Sequence, residues 1–134
     1  MPATDTAALA LVDHVSGSGA PLLLLHGGSG SHRHWARVAG PLSTTFRVHA
    51  PDLPGYGESP AAPKDAEGAA YIELAAASLS RLVPEAGVDL VGFSFGGAVA
   101  AGVARIWGPR VRRLTLIGPG GFGRPVGREL DTRS

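Results

Sequence analysis

Cysteine is absent from the 134 residues, which excludes a disulfide framework and a thiolate metal site. Charge is sparse, at 17% of residues with a net of +1, and aromatics make up only 6%. No apolar run approaches the roughly 20 residues that a bilayer span needs. The opening residues, Met1-Pro2-Ala3-Thr4-Asp5, show no basic stretch ahead of an apolar one, as a secretory leader would. These absences set the expectation of a cytoplasmic protein with no membrane partner. Disorder is excluded as well, because 44% hydrophobic residues and a mean hydropathy of +0.13 suffice to build a core.

What the chain has in excess is glycine and proline, 20 and 11 residues. That is about twice the combined usage of roughly 12% in average proteins. They are not periodic, so a collagen-like helix is excluded. They gather where apolar runs end, which reads as tight turns at strand ends. Charge is uneven too. Residues 101–134 hold seven arginines against Glu129 and Asp131, whereas residues 1–100 hold nine acidic side chains against five basic ones. A basic tail raises the question of a nucleic-acid partner. However, Arg105, Arg110, Arg112 and Arg113 fall at a predicted helix end and strand start, where cations complement the helix dipole. No aromatics interleave with them as stacking platforms, so no nucleic-acid partner is expected.

Strand and helix patterns alternate along the chain. Leu9 to Val15 alternates weakly and reads as an edge strand. Pro21 to Leu25 is short and wholly apolar, the pattern of a strand buried on both faces. Ser31 is placed to cap a helix reaching Leu42, with Trp35, Val38, Ala39 and Leu42 on one face. Phe46–Ala50 reads as a strand, followed by a Pro/Gly loop over Pro51–Pro63. Glu67–Val83 is a helix whose apolar face carries Ile72, Ala75, Ala76, Leu79, Leu82 and Val83. Val88–Val91 is a strand, Gly97–Trp107 a buried helix, and Val111–Ile117 the last strand. The order predicts an α/β fold with a mostly parallel twisted sheet and helices on both faces.

Three motifs carry candidate chemistry. Gly92-Phe93-Ser94-Phe95-Gly96-Gly97 lies between a buried strand and an Ala-rich helix. A serine at such a sharp turn exposes its hydroxyl above the sheet, beside the free N–H groups of the helix start. Ser94 is therefore the candidate nucleophile. His26-Gly27-Gly28-Ser29-Gly30 follows the most apolar strand and offers a backbone N–H to an oxyanion, from Gly28 by preference and Ser29 as second choice. The N–H of Phe95 is the other donor. The spacing fits neither phosphate-loop nor dinucleotide patterns. In Asp52-Leu53-Pro54-Gly55-Tyr56-Gly57-Glu58-Ser59, Asp52 reads as a local loop brace rather than a catalytic acid.

These three motifs, in this order and spacing, resemble the N-terminal half of the α/β-hydrolase fold family over about Ala8 to Gly123. The resemblance implies that Ser94 is the nucleophile, that Gly28 and Phe95 line the oxyanion hole, and that His26 is structural. Dehalogenases of similar pattern carry aspartate at the nucleophile position, so Ser94 points away from them. Gly118-Pro119-Gly120-Gly121-Phe122-Gly123 looks like the start of the lid region in members that hydrolyse esters or carbon–carbon bonds. The implied activity is hydrolysis of a small ester, thioester, amide or carbon–carbon substrate through an acyl-enzyme, with no cofactor.

The chain departs from the family in one respect. The family triad runs serine, acid, histidine along the chain, yet all five histidines (His14, His26, His32, His34, His49) precede Ser94. His32 and His34 lie near the oxyanion loop, but read as solvated helix-start positions. Spaced i, i+2, they face apart on a helix, and no metal site is expected. The expectation is an incomplete domain over residues 1–134, with lid residues from 118 and the acid- and base-bearing loops absent. Such a chain would be inactive alone and prone to self-association through the open edge of its last strand.

Two alternatives are a non-catalytic, hydrolase-like binding module and a dinucleotide-binding domain built on Gly118–Gly123. Pro125 and Gly127 break the helix that the latter requires. An antibody to residues 88–104 should detect, in the native source, a species about twice the 13.6 kDa of these residues. A species of 13.6 kDa would instead favour the binding module.

Overall fold

A computed structural model describes residues 7–118. Strand β2 (Pro21–Leu25) shows why the fold has two faces. All five of its residues are buried, and their side chains alternate. Leu23 and Leu25 enter one core with Leu53, Ala75, Leu79, Leu90, Val99, Val103 and Trp107. Leu22 and Leu24 enter a second core with Trp35, Val48 and Ala50.

Around β2 the sheet runs β1 (Val15–Ser16), β3 (Arg47–His49), β2, β4 (Val88–Phe93), β5 (Val111–Ile117). Only β1 is antiparallel, pairing with β3. The strand order reverses between β2 and β4, so the loops leaving those two strands lie side by side at their carboxyl ends. That is where open α/β sheets place ligands. The first core is roofed by α2 (Ala69–Leu82) and α3 (Phe95–Trp107), and the second by a 3-10 turn (His32–Trp35) and the short α1 (Ala39–Leu42).

Several boundaries differ from the sequence reading. The single helix expected from Ser31 to Leu42 is broken in two. Ser31 does cap the turn, its Oγ accepting from the Arg33 N–H at 3.2 Å. Pro41, however, has no N–H to give to the carbonyl of Arg37, so a continuous helix loses a bond there. The expected strand over Leu9–Val15 is regular only at Val15–Ser16. It continues as a loose ladder, with the Ala50 N–H donating to His14 O and the Asp52 N–H to Val12 O. β4 runs two residues further than expected, to Phe93, and α3 begins two earlier, at Phe95. Helix α2 also buries Leu74 and Ser78. The Ser78 hydroxyl donates to Leu74 O and accepts the Leu9 N–H, which makes a polar residue tolerable there.

Among the described residues, Arg110 and Arg112 make side-chain contacts with the fold. Arg110 stacks on the Trp107 ring at 4.1 Å and donates to the carbonyls of Val83 and Glu85. Arg112 clasps Asp89 with two nitrogens at 3.0 and 2.7 Å. On its far side β5 has no neighbouring strand among the described residues, and it exposes Leu114 and Ile117. Beside it, on the second face, lies an apolar trough of about 480 Å³ between Leu22, Trp35, Leu42, Val91 and Ile117. No described helix is long and apolar enough to cross a membrane. Apart from Gly118, the expected lid residues lie outside the described residues.

Leu23 is fully buried in the central strand. Leu23→Ala should lower unfolding free energy by about 2–5 kcal/mol. Ile106→Ala, on the exposed side of α3, should stay within about 0.5 kcal/mol of the parent. Urea unfolding followed by far-UV circular dichroism measures both.

Candidate active site

Three loops meet at the carboxyl ends of β2, β3 and β4. The sharpest is the turn from β4 into α3, which leaves room for no side chain at two positions. A Cβ on Gly92 would lie 2.3 Å from Gly96 O, and one on Gly96 would lie 2.2 Å from Leu25 O. With both positions bare, the start of α3 rests directly on the backbones of β2 and β4. Ser94 at the apex takes φ 56° and ψ −120°, a left-handed conformation that costs a non-glycine residue of order 1–3 kcal/mol. Its N–H donates to Ile117 O at 2.9 Å, and its carbonyl accepts from the Gly97 N–H at 2.8 Å. Among the described residues, the Ser94 hydroxyl makes no capping bond to the helix it begins. That hydroxyl is half-buried beside the positive end of α3. The Phe95 N–H, in the first turn of α3, has no intrahelical acceptor.

The loop after β2 comes up against Phe95. A Cβ on Gly28 would sit 3.3 Å from Phe95 Cβ, so a bare backbone here permits the approach. Gly28 and Phe95, taken together from sequence, are thus neighbours. Ser29 follows with φ 61°, the other non-glycine residue of positive φ among those described. The Gly27 N–H is already engaged, donating to His34 Nδ1 at 3.0 Å.

His26 is fully buried and ties the loops together. Its Nε2 accepts the Leu53 N–H at 3.0 Å, so Nδ1 carries the proton and donates to Gly27 O at 2.7 Å. Burial pushes its pKa below the ordinary 6.5 and outweighs the nearby Asp52 charge. Asp52 braces more than its own loop. Its carboxylate accepts the N–H groups of His32 and Glu58 and the ring Nδ1–H of His32. Burial pushes this carboxyl upward, but those hydrogen bonds prevail and hold it below the usual carboxylate range.

An aromatic group that sequence reasoning did not single out surrounds the turn. Tyr56 and Tyr71 each pack at 5.7 Å on Phe95, His26 meets Tyr56 edge-on, and His34 meets Phe93. The Tyr71 hydroxyl donates to Pro54 O at 2.7 Å, fastening α2 to the loop after β3. These rings come from four segments with no shared spacing, so no periodicity marks them. His32 and His34 do diverge, but on a 3-10 turn rather than an α-helix: His32 is partly buried against Asp52, whereas His34 is exposed and accepts the Gly27 N–H.

A strained serine between a parallel strand and a helix, with a glycine loop beside it at the sheet's switch point, defines a class of hydrolase-like α/β proteins. The sequence model of the alpha/beta hydrolase fold family matches residues 20–132, and the chain belongs to that family. It is 39% identical over 123 residues to a 2-hydroxymuconate semialdehyde hydrolase of Pseudomonas sp. (strain CF600), covering 88% of this chain and 43% of that protein. To the pimeloyl-[acyl-carrier protein] methyl ester esterase of Vibrio cholerae it is 38% identical, over 81% of this chain and 40% of the relative. Among solved structures, the thermophilic esterase from Thermogutta terrifontis aligns with TM-score 0.76 and 33% identity, over 90% of this chain and 44% of that one. The chain thus spans less than half the length of these relatives.

The depressed pKa of His26 has a consequence for stability. Between that value and 6.5 the unfolded chain binds a proton that the native chain refuses, so stability falls as pH drops through this window. Urea midpoints measured from neutral pH down to about pH 5 should decline, and His26→Gln should flatten the decline while lowering stability throughout.

Proposed function

We propose that this chain supplies the nucleophile and oxyanion-binding half of a serine hydrolase acting on small carbonyl substrates. The observation that carries this reading is Ser94, held at φ 56° at the carboxyl end of β4 with no capping bond from its hydroxyl. A strained apex that also leaves the hydroxyl without a capping role favours catalysis over architecture.

In this reading the Ser94 oxygen attacks the carbonyl of an ester, thioester, amide or vinylogous ketone. A base takes the serine proton, and the carbonyl oxygen becomes an oxyanion received by the N–H groups of Phe95 and Gly28. Loss of one such donor costs roughly 10²–10³ in kcat. The tetrahedral adduct collapses, the leaving group departs with the proton, and water then releases the acid from the acyl-serine. Every histidine of the 134 residues precedes Ser94, and two of the five, His26 and His49, have both ring nitrogens engaged elsewhere, the latter between Asp13 and Arg47. The acid and base therefore fall to polypeptide beyond these residues, a reading supported by relatives more than twice as long. The esterase and hydrolase names among the relatives support the substrate class.

The test supplies the missing base from solution. With p-nitrophenyl acetate and imidazole, the 134-residue chain should acquire one acetyl group on Ser94, located by peptide mass spectrometry. The rate should rise with imidazole, and Ser94→Ala should abolish the modification. Acetylation of Ser94 no faster than that of the exposed Lys64, with imidazole present, would overturn the reading in favour of a binding module.

A further inference from the structure

The exposed ring of His34 is seated on the glycine loop that follows β2. Its Nδ1 accepts the Gly27 N–H at 3.0 Å. A ring nitrogen that accepts carries no proton, so in the neutral ring the proton sits on Nε2. The seat exists because residue 30 has no side chain. A Cβ on Gly30 would fall 2.2 Å from both Cε1 and Nε2 of His34 and would push the ring off the loop. Gly27 is nearly as confined, since a Cβ there would lie 3.2 Å from His34 Cε1 and 3.1 Å from Phe93 Cδ2.

Two further rings close around His34. Phe93 meets it edge-on with centroids 5.6 Å apart, and His26 does so at 6.1 Å. Phe93 immediately precedes Ser94, so His34 touches the nucleophile turn with its ring and the glycine loop with its nitrogen. The bond to Gly27 also falls at a telling place in the chain. Gly27 is held at both ends, its N–H by His34 Nδ1 and its carbonyl by His26 Nδ1–H at 2.7 Å. A peptide unit is planar and trans, so fixing the Gly27 carbonyl also fixes the direction of the Gly28 N–H, which points the opposite way. His34 fixes the plane before it. With both planes set, Gly27 has no torsional freedom left to turn the Gly28 N–H aside.

We propose that His34 is a positioning residue for the oxyanion hole. By accepting the Gly27 N–H, it holds the loop after β2 in the conformation that presents the Gly28 N–H to the oxyanion. The inference rests on the hydrolase reading of Ser94 and Gly28. In this role His34 touches no reacting atom and moves no substrate proton, because its Nδ1 lone pair is occupied by the loop.

The test compares the 134-residue chain with His34→Asn and His34→Leu, using p-nitrophenyl acetate and imidazole and following acetylation of Ser94 by peptide mass spectrometry. The asparagine oxygen stands as many bonds from Cα as Nδ1 does, so His34→Asn keeps an acceptor for Gly27. His34→Leu keeps bulk without one. Acetylation of Ser94 should slow at least tenfold in His34→Leu, within the roughly 10²–10³ that loss of a whole oxyanion donor costs. In His34→Asn it should return to within about threefold of the parent. Amide exchange at Gly27, followed by NMR, should quicken in His34→Leu and hold in His34→Asn. Because His34 is exposed, both variants should keep the parent circular dichroism, and His34→Ala replaces His34→Leu if it does not. Parent-like acetylation in folded His34→Leu would overturn the proposal and leave the hydrolase reading standing. Equal loss in both variants would overturn it too, by assigning the effect to the ring and not to its acceptor. A parent that acetylates Ser94 no faster than Lys64 would overturn both readings together.

Discussion

The contact on which the rest depends is the backbone-to-backbone seat of α3 on β2 and β4. A Cβ at Gly92 or Gly96 would fall 2.2–2.3 Å from a carbonyl oxygen, far inside any tolerable separation. Bare backbone at both positions lets the first turn of α3 lie against the ends of the two central strands. The chain must then reverse between Phe93 and Phe95, and Ser94 takes the strained conformation that the reversal demands. The same seat brings Phe95 against Gly28. Packing, strain and the proximity of the two candidate oxyanion donors are thus one geometric fact.

A second layer holds the loops around that seat. His26 and Asp52 are both fully buried, and each is satisfied by hydrogen bonds crossing between the loops after β2 and β3. Buried polar groups of this kind are costly when unpaired. Their full pairing therefore specifies one arrangement of the two loops and resists others. The aromatic contacts of Tyr56 and Tyr71 on Phe95 extend the bracing to α2. The loops that present the site are consequently held from three sides, although little regular secondary structure lies within them.

The two sheet faces are unequally covered. Helices α2 and α3 close one core, whereas a 3-10 turn and four residues of α1 roof part of the other, leaving the apolar trough beside β5. Relatives of more than twice the length share this half of the fold at TM-scores above 0.7. The local order of strands, loops and helices is therefore consistent across them over the matched region.

Sequence alone determined the alternation of strands and helices, the parallel central sheet and the position of Ser94 at a strand-to-helix turn. Each of these is written locally: continuous apolar runs for strands buried on both faces, 3.6-residue spacing for α2, and glycines flanking the serine. Tertiary structure alone decided what depends on residues distant along the chain. Pro41 splits an otherwise well-patterned helix, and Ser78 is buried because Leu9 supplies a donor from far upstream. His32 turns to Asp52, and His14 stacks on it from the segment leading into β1, which is next to β3 only in the folded sheet. A contact between segments 18 or 38 residues apart, as from His32 to His14 or from Asp52 to His14, follows no period that a sequence can display. It exists only once the sheet has placed β1 beside β3.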